Sequence, residues 1–223
     1  MRAEQRWPTS VDELVEEQLA LAEEAPKPWE PEVGFLTAGC FVCFERGPTG
    51  PGRAGDAAWA AAAAAEDTVT IVGTAGASYV AGMLALREGP LLERAVRALP
   101  RPADVLLVDA TGRDHPRRAG LALHLGAVLD VPTVGVTHRC LLASGRWPSD
   151  ARGAASPIRL GDDIVGHWLR TAPGTRPLAV HAAWQTSPEI ALDVVLSCTR
   201  DVRTPQPLRR ARTAARSARA ASS

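Results

Sequence analysis

Residues Asp104 to Arg139 read DVLLVDATGRDHPRRAGLALHLGAVLDVPTVGVTHR, and this segment of the 223-residue chain predicts the fold class on its own. The apolar run Val105–Val108 ends at Asp109 and is followed by a short polar turn. Apolar residues at helical spacing over Leu121–Leu129 predict a helix, and a second apolar run over Val131–Val136 predicts another buried strand. The order strand, turn, helix, strand is typical of an α/β domain.

Asp109 is the candidate functional residue of this unit. It lies at the carboxyl end of the predicted strand and faces a turn that contains Asp114, His115, Arg117 and Arg118. In α/β proteins ligands bind beyond the carboxyl ends of the strands. The alternative is structural, because an acid at this position can also cap the turn. The residues by themselves leave both interpretations open.

The same segment resembles the central motif of the endonuclease V family, which are DNA-repair nucleases with a ribonuclease H-like fold. The motif is a strand ending in Val-Asp, then His-Pro-Arg-Arg, an internal His-x-Gly, and Asp-x-Pro-Thr-x-Gly-Val. The matching residues are Val108-Asp109, His115-Pro116-Arg117-Arg118, His124-Leu125-Gly126 and Asp130 to Val136. The resemblance implies an α/β fold with a ribonuclease H-like mixed sheet flanked by helices.

A second segment, Tyr79 to Glu88, is similar to the family's Tyr-x-Pro-Gly-x-Leu-x-Phe-Arg-Glu motif. The resemblance implies that Glu88 and Asp109 are metal ligands and that they form the catalytic site together with His115. It implies that Tyr79 belongs to a wedge that separates the strands beside a damaged base. Without the resemblance, Tyr79 is equally well explained as a loop aromatic.

The resemblance also implies a cofactor and a partner. Hydrolysis of a phosphodiester needs an activated water and neutralisation of the phosphate charge, and divalent ions provide both. The expected ion is Mg²⁺, which prefers carboxylate oxygens, with Mn²⁺ as a substitute. The expected partner is DNA, or alternatively RNA. Besides Tyr79, the residues expected to contact it are Arg117, Arg118 and His138.

Several positions depart from the family pattern. The family's first strand carries a metal-bridging Asp, and Phe41 stands in its place within Ala38 to Phe44. His138 stands where the family has Lys, and a histidine is mostly neutral at pH 7. Ala183-Trp184-Gln185 replaces a Gly-His-Arg motif, and the acid on the helix that follows corresponds to Glu189. These departures predict weaker metal binding.

Two functions therefore remain open. The chain is either a metal-dependent nuclease that cuts near deoxyinosine in DNA or inosine in RNA, or a catalytically inactive nucleic-acid-binding protein of the same fold. A metabolic α/β domain is a third alternative, and it would need a Gly-rich phosphate loop. The Gly-rich segment Gly47 to Gly52 contains prolines, which lack the required amides. This pattern is typical of a hairpin turn.

Composition predicts one main domain over residues 1–201 and a basic tail over 202–223. The chain contains 25 acidic and 25 basic residues, so its overall charge does not drive it towards nucleic acid. The tail has arginines but no acid from Val202 onward, which predicts disorder. It is either a solvated extension or an arm that binds phosphates non-specifically.

Cysteine spacing and hydropathy predict the compartment. The four cysteines show no disulfide-framework spacing, and neither a signal peptide nor a membrane-spanning apolar run is visible. We expect a cytoplasmic protein that does not associate with membranes. The resemblance implies a monomer.

The remaining pattern predicts the other elements. Ala57 to Asp67 has helical propensity because it is nearly all alanine, but the resemblance implies a strand there, paired with a strand over Thr68 to Val72. The other predicted elements are a first strand over Gly34 to Glu45, a strand near Leu178 to Ala182, and helices over Ser10 to Ala25, Ala85 to Ala98, Ile164 to Arg170 and Glu189 to Arg200.

Overall fold

The computed structural model describes residues 6–45, 51–200 and 202–222. The predicted Gly-Pro turn falls mostly on residues 46–50, which lie outside these ranges. The elements in chain order are α1 Val11–Glu23, β1 Thr37–Phe44, β2 Ala57–Ala64, β3 Asp67–Thr74, α2 Leu84–Arg97, β4 Val105–Val108, α3 Leu121–Leu129, β5 Thr133–Thr137, β6 Ala155–Leu160, β7 Asp163–Leu169, β8 Leu178–Ala182, α4 Pro188–Ser197 and α5 Gln206–Ala221.

The eight strands form one mixed sheet in the order β3-β2-β1-β4-β5-β8-β7-β6. The central strands β1, β4 and β5 are parallel, and the remaining pairs are antiparallel. Helices α2 and α3 cover one face of the sheet, while α4 and α5 cover the other. This arrangement confirms the predicted mixed sheet flanked by helices. Within the described ranges, none of the helices is both long and apolar enough to cross a membrane.

The alanine-rich segment is strand β2, as the resemblance implied and contrary to its helical propensity. Its side chains alternate between two packed faces. Ala58, Ala60 and Ala62 lie in the core beneath α2, and Ala61 and Ala63 pack against α5. Alanine has little β-propensity of its own, so burial on both faces decides the conformation. Its small side chain also lets a helix approach each face closely.

The prediction of a disordered tail is wrong for most of the segment, because residues 206–221 form helix α5. Leu208, Ala211 and Ala215 recur at helical spacing and are buried against β1 and β2. Arginines flank this apolar stripe: Arg210 donates to the carbonyls of residues 66 and 67 and to the Thr68 hydroxyl. The high arginine content is typical of a solvated chain, but the apolar residues at helical spacing make this segment an amphipathic helix.

The predicted helix over Ile164 to Arg170 is also wrong, since this segment is strand β7. It forms a hairpin with β6 in which Leu160 faces Asp163 across the two-residue turn Gly161-Asp162. Gly161 has φ +63°, a conformation that glycine adopts without steric penalty and that two-residue hairpin turns require. The structure confirms α1, α3, β1, β4 and β8 within the predicted segments, and α2, α4 and β5 each extend one residue beyond them.

Close approach of α5 to β1 depends on Gly39. A Cβ atom at this position would lie 2.5 Å from the backbone nitrogen of Leu208 and 2.6 Å from the carbonyl carbon of Pro207. Because both contacts are backbone atoms, neither can rotate away. We expect Gly39→Ala to lower the free energy of unfolding by about 1–3 kcal/mol through overpacking, as measured by urea denaturation.

Thr70→Val is the matched control for this variant. Thr70 is exposed on β3, so the substitution changes the side chain without a new core contact, and we expect a change within about 0.5 kcal/mol. If Gly39→Ala unfolds at the same urea concentration as the parent protein, α5 does not pack on β1 as described.

Candidate active site

Phe41 and Asp109 lie side by side at the centre of the sheet. Cys40 of β1 pairs with Val108 of β4 in parallel register, and Phe41 and Asp109 are the next residues on the two strands. The structure thus places Phe41 next to the carboxylate that the sequence indicated. A phenyl ring cannot coordinate a cation, so this position supplies no ligand.

Arg212 of α5 forms a salt bridge with Asp109. Its Nη2 atom lies 2.9 Å from Oδ2 of Asp109, and both side chains are mostly buried. The guanidinium carbon of Arg212 lies 5.3 Å from the centre of the Phe41 ring, and that of Arg216 lies 5.6 Å from it. Such cation–π contacts contribute about 0.5–1 kcal/mol at exposed sites and more where water is excluded. Asp109 therefore already has a positively charged partner from the protein itself.

Glu88 is the second acid of the site and lies on α2. Its pKa is raised to about 8, mainly by burial; the charge of neighbouring Arg87 opposes this rise and the charge of Asp109 adds to it. Arg87 itself forms a buried salt bridge with Asp56 at 2.9 Å. With a pKa of about 8, the carboxyl group of Glu88 is mostly protonated at neutral pH. It ionises only in more alkaline solution or when a positive charge binds nearby.

A cavity of about 160 Å³ opens beside Asp109. Tyr79, Gly82, Asp109, His115 and Leu141 are among its lining residues. Most of the lining is apolar, and the Tyr79 side chain is half exposed at its entrance. The cavity is smaller than the roughly 300–1,000 Å³ of a drug-sized pocket. It therefore suits a single small group and not an extended ligand.

His115 lines this cavity in its neutral form. Burial lowers its pKa to about 4, and the charge of Arg117 contributes in the same direction. The backbone N–H of Arg117 donates to Nδ1 of His115 at 3.2 Å, so Nε2 carries the proton and donates to the carbonyl of Gly82 at 3.1 Å. His115 can therefore donate a hydrogen bond to a ligand only if it releases Gly82.

The two arginines of the His-Pro-Arg-Arg motif contact the protein. Arg117 donates to the Gln18 side chain at 2.6 Å and to the Gly82 carbonyl at 3.2 Å. Arg118 forms a salt bridge with Asp163 at 3.1 Å and donates to the Leu160 carbonyl. Arg117 thus holds the loop that follows Tyr79, and Arg118 holds the β6–β7 hairpin. Their role in binding nucleic acid stays a prediction.

His138 lies at the exposed end of β5, within electrostatic range of Asp109 and Arg212. Burial of its ring lowers its pKa, Arg203 and Arg212 lower it further, and Asp109 opposes them. The imidazole is therefore neutral at pH 7.

Glu189 lies away from Asp109. It is in the first turn of α4, and its charge acts on His167 of β7, which is three strands from β4 in the sheet.

The residues present do not fit the divalent-metal site that the resemblance implied. Among the described residues, three or more His, Cys, Asp or Glu side chains do not converge at any point where they could hold a metal ion. Of the two acids at the site, Glu88 favours the neutral form and Asp109 is bound to Arg212. Mg²⁺ prefers several oxygen ligands, which this set does not supply.

The sequence does not reveal the roles of two residues that shape the site. Composition assigns Arg212 to a disordered tail, whereas the spacing of Leu208, Ala211 and Ala215 indicates a packed helix. Asp114 is fully buried and accepts hydrogen bonds from the backbone N–H groups of residues 141–143 at 2.7–2.8 Å. It fixes the loop that contributes Leu141 to the cavity. Its place beside His115 was the only sequence signal for it.

Comparison with known proteins gives one result. A profile of the Endonuclease V family matches residues 38–213. Endonuclease V of Roseiflexus castenholzii (strain DSM 13941 / HLO8) is 40% identical over 133 residues, which is 60% of this chain and 60% of that protein. The alignment thus spans less than two thirds of that relative's length.

Solved structures agree with this match over nearly the whole chain. The crystal structure of endonuclease V from Streptomyces avermitilis has a TM-score of 0.82 and 32% identity, with 97% of this chain and 96% of that chain covered. The structure of Ciona intestinalis endonuclease V in complex with a 24mer DNA containing an inosine followed by a ribo-adenosine has a TM-score of 0.78 and 18% identity, with 96% and 99% covered. At that identity the second match shows the fold alone.

The profile match covers well over half of the chain and includes residues 38–44 of β1, the whole of β4, the cavity-lining residues other than Gln18, and Arg212. The Streptomyces avermitilis protein matches at more than 30% identity over nearly the full length of both chains. The chain therefore belongs to the endonuclease V family.

Proposed function

We propose that this chain binds nucleic acid at a deaminated base without metal-dependent hydrolysis of the backbone. The salt bridge between Arg212 and Asp109, beside Phe41, is the observation that carries this proposal. It engages the carboxylate that a catalytic metal ion would need.

The cavity supports the binding part of the proposal. Proteins that read a modified base rotate it out of the stack into a close-fitting pocket lined by apolar and aromatic groups. The cavity beside Asp109 has this character, and the half-exposed Tyr79 is one of its lining residues. The Ciona intestinalis relative was crystallised with inosine-containing DNA. Deoxyinosine in DNA and inosine in RNA are therefore the candidate ligands.

The positive charge of Arg212 beside Asp109 supports the part of the proposal that concerns the absence of cleavage. The endonuclease V family is metal-dependent, and metal-assisted hydrolysis requires carboxylates that attract a divalent ion. Here the Arg212 guanidinium neutralises Asp109, and Phe41 provides an apolar ring in place of a third acid. A divalent cation would have to displace Arg212 and would meet electrostatic repulsion from it and from Arg216.

A working nuclease is the second candidate. Two observations support it: Asp109 and His115 line one cavity, and the charges of Glu88 and Asp109 act on each other. A bound metal ion would lower the pKa of Glu88 and could recruit it as a ligand. In that case Arg212 would have to move away from Asp109 during each catalytic cycle, with Mg²⁺ or Mn²⁺ as the cofactor.

The proposal also covers the setting of the protein. We place it in the cytoplasm as a monomer, where a reducing environment would keep its four free cysteines unpaired. Its partner in this proposal is DNA or RNA, and Tyr79, Arg117, Arg118 and His138 are the residues proposed to contact it in addition to the cavity.

A cleavage assay tests the proposal. The purified protein is incubated with an inosine-containing oligonucleotide in Mg²⁺, in Mn²⁺ and in EDTA, and mobility-shift gels report binding in parallel. We expect the oligonucleotide to shift without being cut above the level of an Asp109→Ala variant, which is the control for contaminating nuclease. Metal-dependent cutting that disappears in Asp109→Ala would instead establish the working nuclease.

Restoring metal binding requires two changes. A single Phe41→Asp substitution introduces an acid, but Arg212 and Arg216 lie within about 5–6 Å of that ring and would pair with it. We therefore expect the double variant Phe41→Asp/Arg212→Ser to bind Mn²⁺ at least about tenfold more tightly than either single variant, because the ion then meets two carboxylates without the guanidinium that pairs with Asp109. Isothermal titration calorimetry measures this directly.

Equal Mn²⁺ affinity of Phe41→Asp and the double variant would contradict this reasoning, because Arg212 would then not compete with the ion. Phe41→Leu/Arg212→Ser is the matched control, since it removes the same guanidinium without adding a carboxylate. Thermal melts of all variants exclude loss of folding as the cause of weak binding.

A further inference from the structure

We propose that Arg212 and Arg216, held over the Phe41 ring, form a binding site for a backbone phosphate, so that this chain binds nucleic acid without a metal ion. This inference rests on the proposed function and assigns to α5 a role that neither the family motifs nor the predicted site residues include.

The two guanidinium groups are arranged around one aromatic ring. Arg212 and Arg216 are four residues apart on α5 and therefore project from the same side of the helix. Their guanidinium carbons lie 5.3 Å and 5.6 Å from the centre of the Phe41 ring, within the range of cation–π attraction. The Phe41 ring thus stabilises two guanidinium groups without neutralising them, whereas an Asp at this position would neutralise their charge.

Arg212 has hydrogen-bonding capacity left over. Among the described residues, its one hydrogen-bond partner is Asp109, which takes a single N–H of the guanidinium, and its buried Nε atom has none. A guanidinium has several N–H donors in a planar fork that matches the oxygens of a phosphate. A phosphodiester that reaches the terminal Nη groups can therefore bind the donors that Asp109 leaves free there, while the contact with Asp109 orients the guanidinium.

The position of the site fits a strand that enters the cavity. Asp109 contacts Arg212 on one side and lines the cavity of Tyr79 and His115 on the other. A base in the cavity would thus bring its own backbone close to Arg212. In a metal-dependent nuclease the cation beside this carboxylate neutralises the phosphate. Here a guanidinium stands beside the carboxylate and supplies that charge.

Arg216 and His138 complete the polar surroundings of the site. Arg216 is exposed on α5, and His138 lies within electrostatic range of both Asp109 and Arg212. The His138 ring can donate one hydrogen bond to a phosphate oxygen in its neutral form. Asp109 is thus the acid in direct contact with Arg212, and it limits the affinity of the site because it competes with phosphate for that guanidinium.

Fluorescence anisotropy tests the inference with labelled oligonucleotides of one sequence containing a single inosine, as DNA and as RNA. Binding is measured in EDTA and in MgCl₂ at matched ionic strength. We expect the Kd of the full chain to agree within about twofold between the two conditions. Arg212→Gln should raise the Kd about tenfold in EDTA, as expected for loss of one charge-assisted contact to phosphate. It should also reduce the salt dependence by about one counterion.

Two further variants separate phosphate binding from folding. Arg212→Lys keeps the positive charge and should bind with a Kd between the parent and Arg212→Gln, while Asp109→Asn should bind more tightly in EDTA because phosphate no longer competes with the carboxylate. Arg209→Gln is the matched control, since this exposed arginine is on the same helix but lies near Thr68 of β3. Its Kd should change by less than about twofold. Melting temperatures confirm that each variant is folded.

The outcomes are distinguishable. Failure of the parent protein to bind either oligonucleotide in any condition overturns the proposed function. Binding that needs Mg²⁺, or equal loss of affinity in Arg212→Gln and Arg209→Gln, leaves nucleic-acid binding intact but overturns the phosphate site. Weaker binding by Asp109→Asn in EDTA also overturns it. A difference between the DNA and RNA arms identifies the preferred backbone.

Discussion

The packing of α5 against β1 and β2 is the contact on which the candidate site depends. It requires a residue without a side chain at Gly39 and small side chains along β2, because the helix backbone lies almost directly on the strand. This close approach has two consequences. It buries one face of β2, whose alanines have little β-propensity of their own. It also brings Arg212 within hydrogen-bonding distance of Asp109. Fold and site chemistry therefore share one physical cause.

The salt bridge also explains how an ionised carboxylate is tolerated at the mostly enclosed position of Asp109. Asp109 is mostly enclosed and lies near Glu88, and an enclosed acid needs a compensating charge. In a metal-dependent nuclease a divalent ion provides that charge and leaves when ligands are lost. The Arg212 guanidinium is part of the chain, so its positive charge cannot dissociate, and it remains the partner of Asp109. Glu88, without such a partner, favours its neutral form instead.

Phe41 acquires a different meaning in this arrangement. From the motif alone, Phe41 indicates only that a metal-binding carboxylate is missing. In the structure its ring lies beneath two arginines, which an acid at the same position would attract and neutralise. Phe41 and the two arginines of α5 therefore act together, since an aromatic ring and a pair of guanidinium groups are mutually favourable.

Much of this protein follows from its sequence. The segment from Asp104 to Arg139 predicted β4, α3 and β5, and the register of β1 placed Phe41 beside Asp109, where the motif had placed it. Propensity failed at β2 because tertiary burial overrode it. The Asp109 contact with Arg212 could not be predicted, because 103 positions separate the two residues and composition made the tail look solvated. Strand β7 was missed because a short apolar run does not distinguish helix from strand without its turn.

A crystal of the parent protein soaked in MnCl₂, with anomalous diffraction recorded from it, tests the central claim most directly. The account predicts that the contact between Arg212 and Asp109 is intact and that no anomalous peak appears between Asp109 and Glu88. A manganese ion bound to both carboxylates, with the Arg212 side chain turned away, would contradict it.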